Sequence, residues 1–185
     1  MPDTKTKIIA AAVKCFLNNG SENLEKVAQV AGVSRRTLHR YFKNRQDLMA
    51  CCKKEMLDNC NKAMTEAYES DKDPVRKVRN MLFAAIEQGI HYAFIKRSYE
   101  RSNFSELERQ KEFESDDVKA KWLKIIAELR EEQRVTNALT IPWIFNLFGA
   151  IIETAIYAVE AGDVARNDCK KFAWISFKGA IGLKE

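Results

Sequence analysis

The sequence predicts an all-α protein, a three-helix N-terminal unit followed by a larger helical body, about nine helices in total. Three observations lead there. Only 7 Gly and 3 Pro interrupt 185 residues, so the many tight turns of a β-sandwich are not encoded. Hydrophobic residues make up 46% and charged residues 31%, a balance that buries a core and does not leave the chain disordered. Apolar residues recur at three- and four-residue spacing through most segments, the period of one helix face.

Charge is unevenly placed along the chain. From Met1 to Lys54, eleven Lys/Arg stand against four Asp/Glu, a net +7 in a chain whose total is +5; the remainder, 20 basic against 22 acidic, carries −2. Such an asymmetry suits a polyanion-binding module on a nearly neutral body, because phosphate neutralisation and counterion release dominate nucleic-acid affinity. No apolar run follows a basic segment at the N-terminus and the five Cys show no disulfide framework, so a reducing cytoplasm is expected. The longest apolar stretch, Ile141 to Ala161, is interrupted by Asn146, Glu153 and Glu160; it reads as a buried helix and not as a membrane span.

Taken in order, Asp3 or Thr4 can cap a first helix in which Ile8, Ile9, Ala12, Phe16 and Leu17 share a face, ending near Asn19 and Gly20. Glu22 or Asn23 can cap a short second helix that buries Leu24, Val27, Ala28 and Ala31. Gly32 supplies the left-handed turn that ends it, and Val33 fills the gap to the next element. Ser34 can cap a third helix beginning at Arg35. At about 100° per residue, Arg36, His39, Arg40 and Lys43 fall within an arc of about 100°, with Leu38 and Phe42 opposite. A short helix held to a core by two side chains, with guanidinium and imidazole groups outward, has the form needed to enter the major groove. Thr37 and Tyr41 lie on its flank, where hydroxyls suit phosphate oxygens. Asn44 and Asp47 form a capping-box-like pair opening a fourth helix, with Arg45 beside an N-terminus that favours anions.

These residues resemble a known family. The stretch Ala28 to Leu48, AQVAGVSRRTLHRYFKNRQDL, is similar to the signature of TetR-family regulators, in which an Ala-Gly-Val-Ser turn leads to Thr-Leu-aromatic, Tyr/His-Phe and a small polar cap. The resemblance covers about the first fifty residues, and beyond them only length and helical pattern are similar. It implies a DNA-binding domain over residues 1–50, a regulatory and dimerisation domain over 51–185, and a homodimer on a palindromic operator. The two recognition helices would enter successive major grooves roughly 34 to 36 Å apart. By position, Ser34 caps the recognition helix, Arg35, Arg36, His39 and Arg40 would face bases or adjacent phosphates, and Thr37, Tyr41, Lys43 and Arg45 complete the DNA-binding set. The sequence departs from the family at the short loop Gly20 to Asn23, at His39 in place of the usual Tyr and at Arg36 in place of a frequent Gly. A more basic recognition helix fits either a guanine-rich operator or stronger nonspecific binding.

In the body, a fourth helix from Arg45 to about Glu69 links the two parts, and Asp71 to Asp73 break it. Asp73 caps a fifth helix with Pro74 in its first turn and Val75, Val78, Leu82, Ala85, Ile86 and Gly89 on one stripe. Tyr92 to Phe113 mixes aromatic and charged residues and yields no clear period. Asp116 or Asp117 opens a helix with Val118, Trp122, Ile125, Ile126 and Leu129 on one side. Pro142 begins a helix whose polar positions Asn146, Glu153 and Glu160 repeat every seven residues, and Gly162 with Asp163 turns into a final helix reaching about Gly182.

These last two helices carry more apolar surface than a body of this size covers, which points to self-association, and the family resemblance implies the same four-helix interface. Phe148, Ile152, Ile156, Phe172 and Ile175 are its candidates. The resemblance also implies an effector pocket, for which Tyr92, Phe94, Tyr99, Phe104, Trp122 and Trp143 are the aromatic candidates, and a ligand-released repressor role. A small apolar or amphipathic effector of unknown identity, double-stranded operator DNA and a second copy of the chain are the expected partners, with no membrane. An architectural DNA binder or helical interaction module without a ligand is the alternative. With two His, no Gly-rich phosphate loop, no nucleophile elbow and no ligand cluster at metal spacing, the sequence offers no catalytic residue, metal site or cofactor.

Overall fold

The computed structural model describes residues 3–18, 23–89 and 117–184. Its regular elements are α1 (Thr4–Asn18), α2 (Leu24–Ala31), α3 (Arg35–Tyr41), α4 (Arg45–Glu69), α5 (Pro74–Glu87), α6 (Asp117–Glu131), α7 (Ile141–Ala161) and α8 (Arg166–Ala180). The described residues contain no strand. The chain divides into two compact units, with the boundary inside α4 between Asn59 and Cys60.

The first unit is organised by caps and one apolar cluster. The Asp3 carboxylate accepts the Thr6 N–H at 2.8 Å at the start of α1, and this bond holds its pKa below the ordinary carboxylate value. Asn23 opens α2 by accepting from the Lys26 N–H at 2.9 Å. The helix ends where Gly32 adopts φ 67° and ψ 32°, a left-handed conformation open to residues without a Cβ. There the Val33 N–H reaches back to the Ala28 carbonyl at 3.0 Å and the Gly32 N–H to that of Gln29 at 3.1 Å, the paired bonds of a Schellman turn. Ile8, Ile9, Ala12 and Phe16 of α1 then bury with Val27 and Ala28 of α2, Leu38 of α3, Phe42, and Leu48 and Cys52 of α4. Each large side chain so enclosed contributes about 1.5–3 kcal/mol. Leu24, Ala31 and Val33, expected in this core, pack on it half-buried.

The second unit is built around α5, which packs against α6, α7 and α8. Asp73 caps α5 by accepting the Arg76 N–H at 3.1 Å, and Pro74 occupies its first turn. Val75, Val78, Leu82 and Ala85 are buried as their spacing predicts, together with Met81; Ile86 is half-buried. Gly89 is needed for close packing, since a Cβ there would lie 2.9 Å from Ile156 Cγ1. Val118, Trp122, Ile125, Ile126 and Leu129 of α6 are buried as expected. Trp122 meets Phe148 at 5.2 Å with the rings tilted by 59°, and Phe148 meets Phe177 edge-on at 5.4 Å, an aromatic chain through α6, α7 and α8. The segment after α8 returns to this unit: Thr136 donates its N–H to the Ile181 carbonyl at 3.1 Å, Lys184 donates to Arg134 at 2.9 Å, and Arg134 lies 3.7 Å from Asp73.

The structure changes which face of α7 the sequence reading turned outward. By length and composition this helix could cross a membrane, and only 22% of its most apolar stretch is buried within the chain. One of its faces is enclosed and the other open, the apolar excess that the sequence assigns to self-association. Its inward face holds Ile144, Phe148, Ile152 and Ala155. Phe148 and Ile152, placed by sequence on a dimer surface, are thus inside this unit's core, and Ile156 is half-buried against Gly89. The outward face instead carries Trp143, Asn146, Ala150, Thr154 and Tyr157. A helix apolar on all sides hides the angular position of its core face, and here the true face lies elsewhere.

Candidate nucleic-acid interface

The interface is set by how α3 is anchored. Leu38 is fully enclosed and Phe42 is 1% exposed, so the opposite side of α3 must face outward. On that side Arg36, His39 and Arg40 are exposed. Arg36 and His39 make no hydrogen bond or ion pair with any described residue, which leaves their donors available to an incoming ligand.

Ser34 ends the turn and starts α3: its hydroxyl accepts the Thr37 N–H at 3.1 Å, and the two hydroxyls lie 2.9 Å apart. Thr37 is consequently half-buried and engaged with the cap, so a phosphate contact there would share its hydroxyl with Ser34. Tyr41 is 38% exposed, with the Arg40 guanidinium 5.1 Å from its ring centroid. That stacking steadies Arg40 without using its N–H donors.

Lys43 departs from the expected arrangement. The chain leaves the helix at Phe42, whose φ −135° and ψ 121° are extended, so helical projection no longer applies and Lys43 is not on the α3 face. Its N–H instead donates to Asp47 Oδ2 at 3.0 Å while the Asp47 N–H donates to Asn44 Oδ1 at 2.9 Å. The pair forms the expected cap of α4, shifted by one residue on its reciprocal arm. The Lys43 side chain remains exposed beside the module. Arg45, half-buried, has its guanidinium 4.7 Å from the Phe16 ring centroid, which fixes it at the first turn of α4.

One partner was not legible in the sequence. Arg35 Nη1 donates to Glu25 Oε1 at 2.7 Å, joining α3 to α2 across an exposed surface. The two residues are ten apart and on separate helices, so no local spacing signals the pair.

In the other unit, the two described aromatic candidates, Trp122 and Trp143, do not converge. Trp122 is 1% exposed, whereas Trp143 is 55% exposed on the outer side of α7. Trp143 therefore does not line an interior site with Trp122. The Trp122 indole N–H has no hydrogen-bond partner among the described residues. Tyr92, Phe94, Tyr99 and Phe104 lie outside the described residues. Among the dimer candidates, Phe172 and Ile175 are 50% and 57% exposed, and Tyr157 at 70% and Trp143 join them as large exposed apolar side chains. No His/Cys/Asp/Glu group among the described residues could hold a metal ion.

A helix-turn-helix with an outward basic face has the form of a DNA-binding module. Residues 8–51 match the family model described as bacterial regulatory proteins, tetR family. No curated protein matches the chain. Solved structures do. The TetR-like transcriptional regulator LfrR from Mycobacterium smegmatis, in complex with proflavine, is 20% identical over 96% of each chain with a TM-score of 0.69. A TetR family transcription regulator from Marinobacter aquaeolei VT8 is 13% identical over 96% of this chain and 95% of that one, TM-score 0.77. A TetR-like transcriptional regulator from Rhodococcus sp. RHA1 is 15% identical over 97% and 98%, TM-score 0.68. At such identities the structures speak for the fold, and the family model speaks for residues 8–51. Residues 8–51 are thus similar to the DNA-binding part of tetR-family regulators, and the chain shares its fold with solved TetR-like regulators.

Proposed function

We propose that the chain is a ligand-responsive repressor in the cytoplasm that binds a palindromic operator as a homodimer and leaves it when a small apolar or amphipathic effector occupies the second unit. The observation that carries the DNA half is the outward face of Arg36, His39 and Arg40 on a helix whose other side is locked by Leu38 and Phe42. Arg36 and Arg40 read bases, His39 reads a base or adjacent phosphate, and Lys43, Tyr41 and Arg45 hold the backbone. Ser34 and Thr37 fix the helix start, and Arg35 sits at its edge.

Dimerisation is supported by Trp143, Tyr157, Phe172 and Ile175, large apolar side chains half or more exposed on α7 and α8. A second copy offering the same face would cover them, which is the isologous contact of a two-fold dimer. Phe148 and Ile152 support the interface from beneath and are not part of it. The effector half draws on the proflavine complex of the similar LfrR fold and on the buried Trp122 N–H, which has no partner among the described residues and is a donor that an acceptor on a ligand would satisfy. Helix α4 supplies residues to both units, so a ligand that turns it changes the separation of the two DNA-binding heads.

Alanine substitutions test the assigned roles. Arg40→Ala relaxes base preference by about 1–3 kcal/mol, whereas Arg45→Ala weakens all sequences and lowers the salt slope by about one. Equal losses on every sequence for both variants would reject the division between base and backbone contacts. A ligand that binds tightly without changing operator affinity would reject effector control, because coupling is reciprocal.

A further inference from the structure

The Glu25–Arg35 pair has a feature that folding does not explain. Up to Lys54, the described acidic residues Asp3 and Asp47 both accept backbone N–H groups at helix starts. Glu25 is different, because it is committed to a side chain. Both members are solvent-exposed, at 68% and 63% of their side-chain surface, and an exposed ion pair contributes little to stability. A carboxylate beside a polyanion-binding face also weakens DNA binding by repulsion. Its effect on Arg35 is therefore the more consequential one. Glu25 occupies Nη1 of a guanidinium that has five N–H donors, at the first residue of the helix that carries Arg36, His39 and Arg40.

We propose that Glu25 is a specificity-determining residue of the DNA interface: it withholds Arg35 from the phosphates of arbitrary sequences and gives it up only at a site offering a better acceptor. This rests on the reading of α3 as the DNA-contacting helix. In nonspecific complexes affinity comes almost wholly from phosphate neutralisation, so each cation held back lowers that affinity and its salt slope. At a specific site the geometry is fixed, and a bidentate acceptor such as a guanine edge or a well-placed phosphate outcompetes one exposed carboxylate. Glu25 thereby widens the gap between specific and nonspecific binding without touching a base.

The test uses the full chain as Glu25→Gln, Arg35→Ala, the double variant and Arg36→Glu, with duplex DNA of arbitrary sequence titrated across KCl concentrations. Glu25→Gln should bind this DNA several-fold more tightly, with a salt slope steeper by about one phosphate contact, at an unchanged melting temperature. In the Arg35→Ala background the same substitution should leave the slope unchanged. An unchanged slope for Glu25→Gln overturns the proposal, as does an equal gain without Arg35, which would mean that the carboxylate only repels phosphate. Arg36→Glu, which puts a negative charge on the outward face of α3 and so repels phosphate wherever that face meets DNA, separates this proposal from the reading of α3 it rests on. If it weakens binding while Glu25→Gln shifts nothing, the proposal alone fails; if it leaves binding unchanged, α3 is not the interface and the proposal falls with it.

Discussion

The outward faces of α3 and of α7 with α8 contrast in what they leave uncovered. On α3, Arg36, His39 and Arg40 are exposed cations on a helix anchored by two side chains. On α7 and α8, Trp143, Tyr157, Phe172 and Ile175 are exposed apolar groups on helices anchored by Ile144, Phe148, Ile152, Ala173 and Phe177. The first surface is stable in water alone and gains energy from a polyanion; the second is costly in water and gains by being covered. The proposed partners match these chemistries, DNA for the first and a like apolar surface on a second copy for the other.

The largest effect that would break the contrast is loss of an anchor. Phe42→Ala should cost about 3–5 kcal/mol, read by urea unfolding, and remove DNA binding with the fold of the first unit. A small loss there would mean α3 is held by something else. Replacing Tyr157 and Ile175 together by Glu should weaken self-association by about 2–4 kcal/mol in sedimentation equilibrium, while leaving the helical signal of the isolated chain unchanged. Retained self-association would place the contact on another face. Ser34→Ala should cost about 1 kcal/mol of stability by leaving the Thr37 N–H without its acceptor, and unfolding curves identical to those of the unsubstituted chain would deny the cap.

A smaller effect concerns pH. Burial pushes the Cys52 thiol from the ordinary 9.0 up to about 12, with charge at Cys51 and Glu55 adding to it. Since the folded pKa is the higher one, the stabilisation is complete below pH 9 and declines as pH rises toward 12, when the unfolded thiol ionises first. Alkylation at pH 8 should accordingly spare Cys52 and modify the half-buried Cys51. Equal modification of the two would show that Cys52 is not enclosed.

The same contrast explains what could be read from sequence. In the first unit the signals are local: Ser34 three residues from Thr37, Gly32 at the one left-handed position of the turn, Leu38 four from Phe42. Such spacings fix caps and faces directly, so the face of Arg36, His39 and Arg40 was legible, and Lys43 failed only because the helix stops before it. The Glu25–Arg35 pair was not legible, since it depends on how α2 and α3 meet. In the second unit the helices themselves were legible from Asp73, Pro74, Pro142 and Gly162. The rotation of α7 was not, because Phe148 and Ile152 are as apolar as Trp143 and Tyr157, and only packing against α5, α6 and α8 decides which pair turns inward.

Selection of bound duplexes from random DNA by the full chain tests the central claim most directly. The account predicts one preferred sequence with two-fold symmetry, its half-sites about 10 base pairs apart or a multiple of that, and loss of preference at defined positions in Arg36→Ala and Arg40→Ala. Recovery of duplexes with no shared sequence, or of a preference that both variants retain in full, would contradict it.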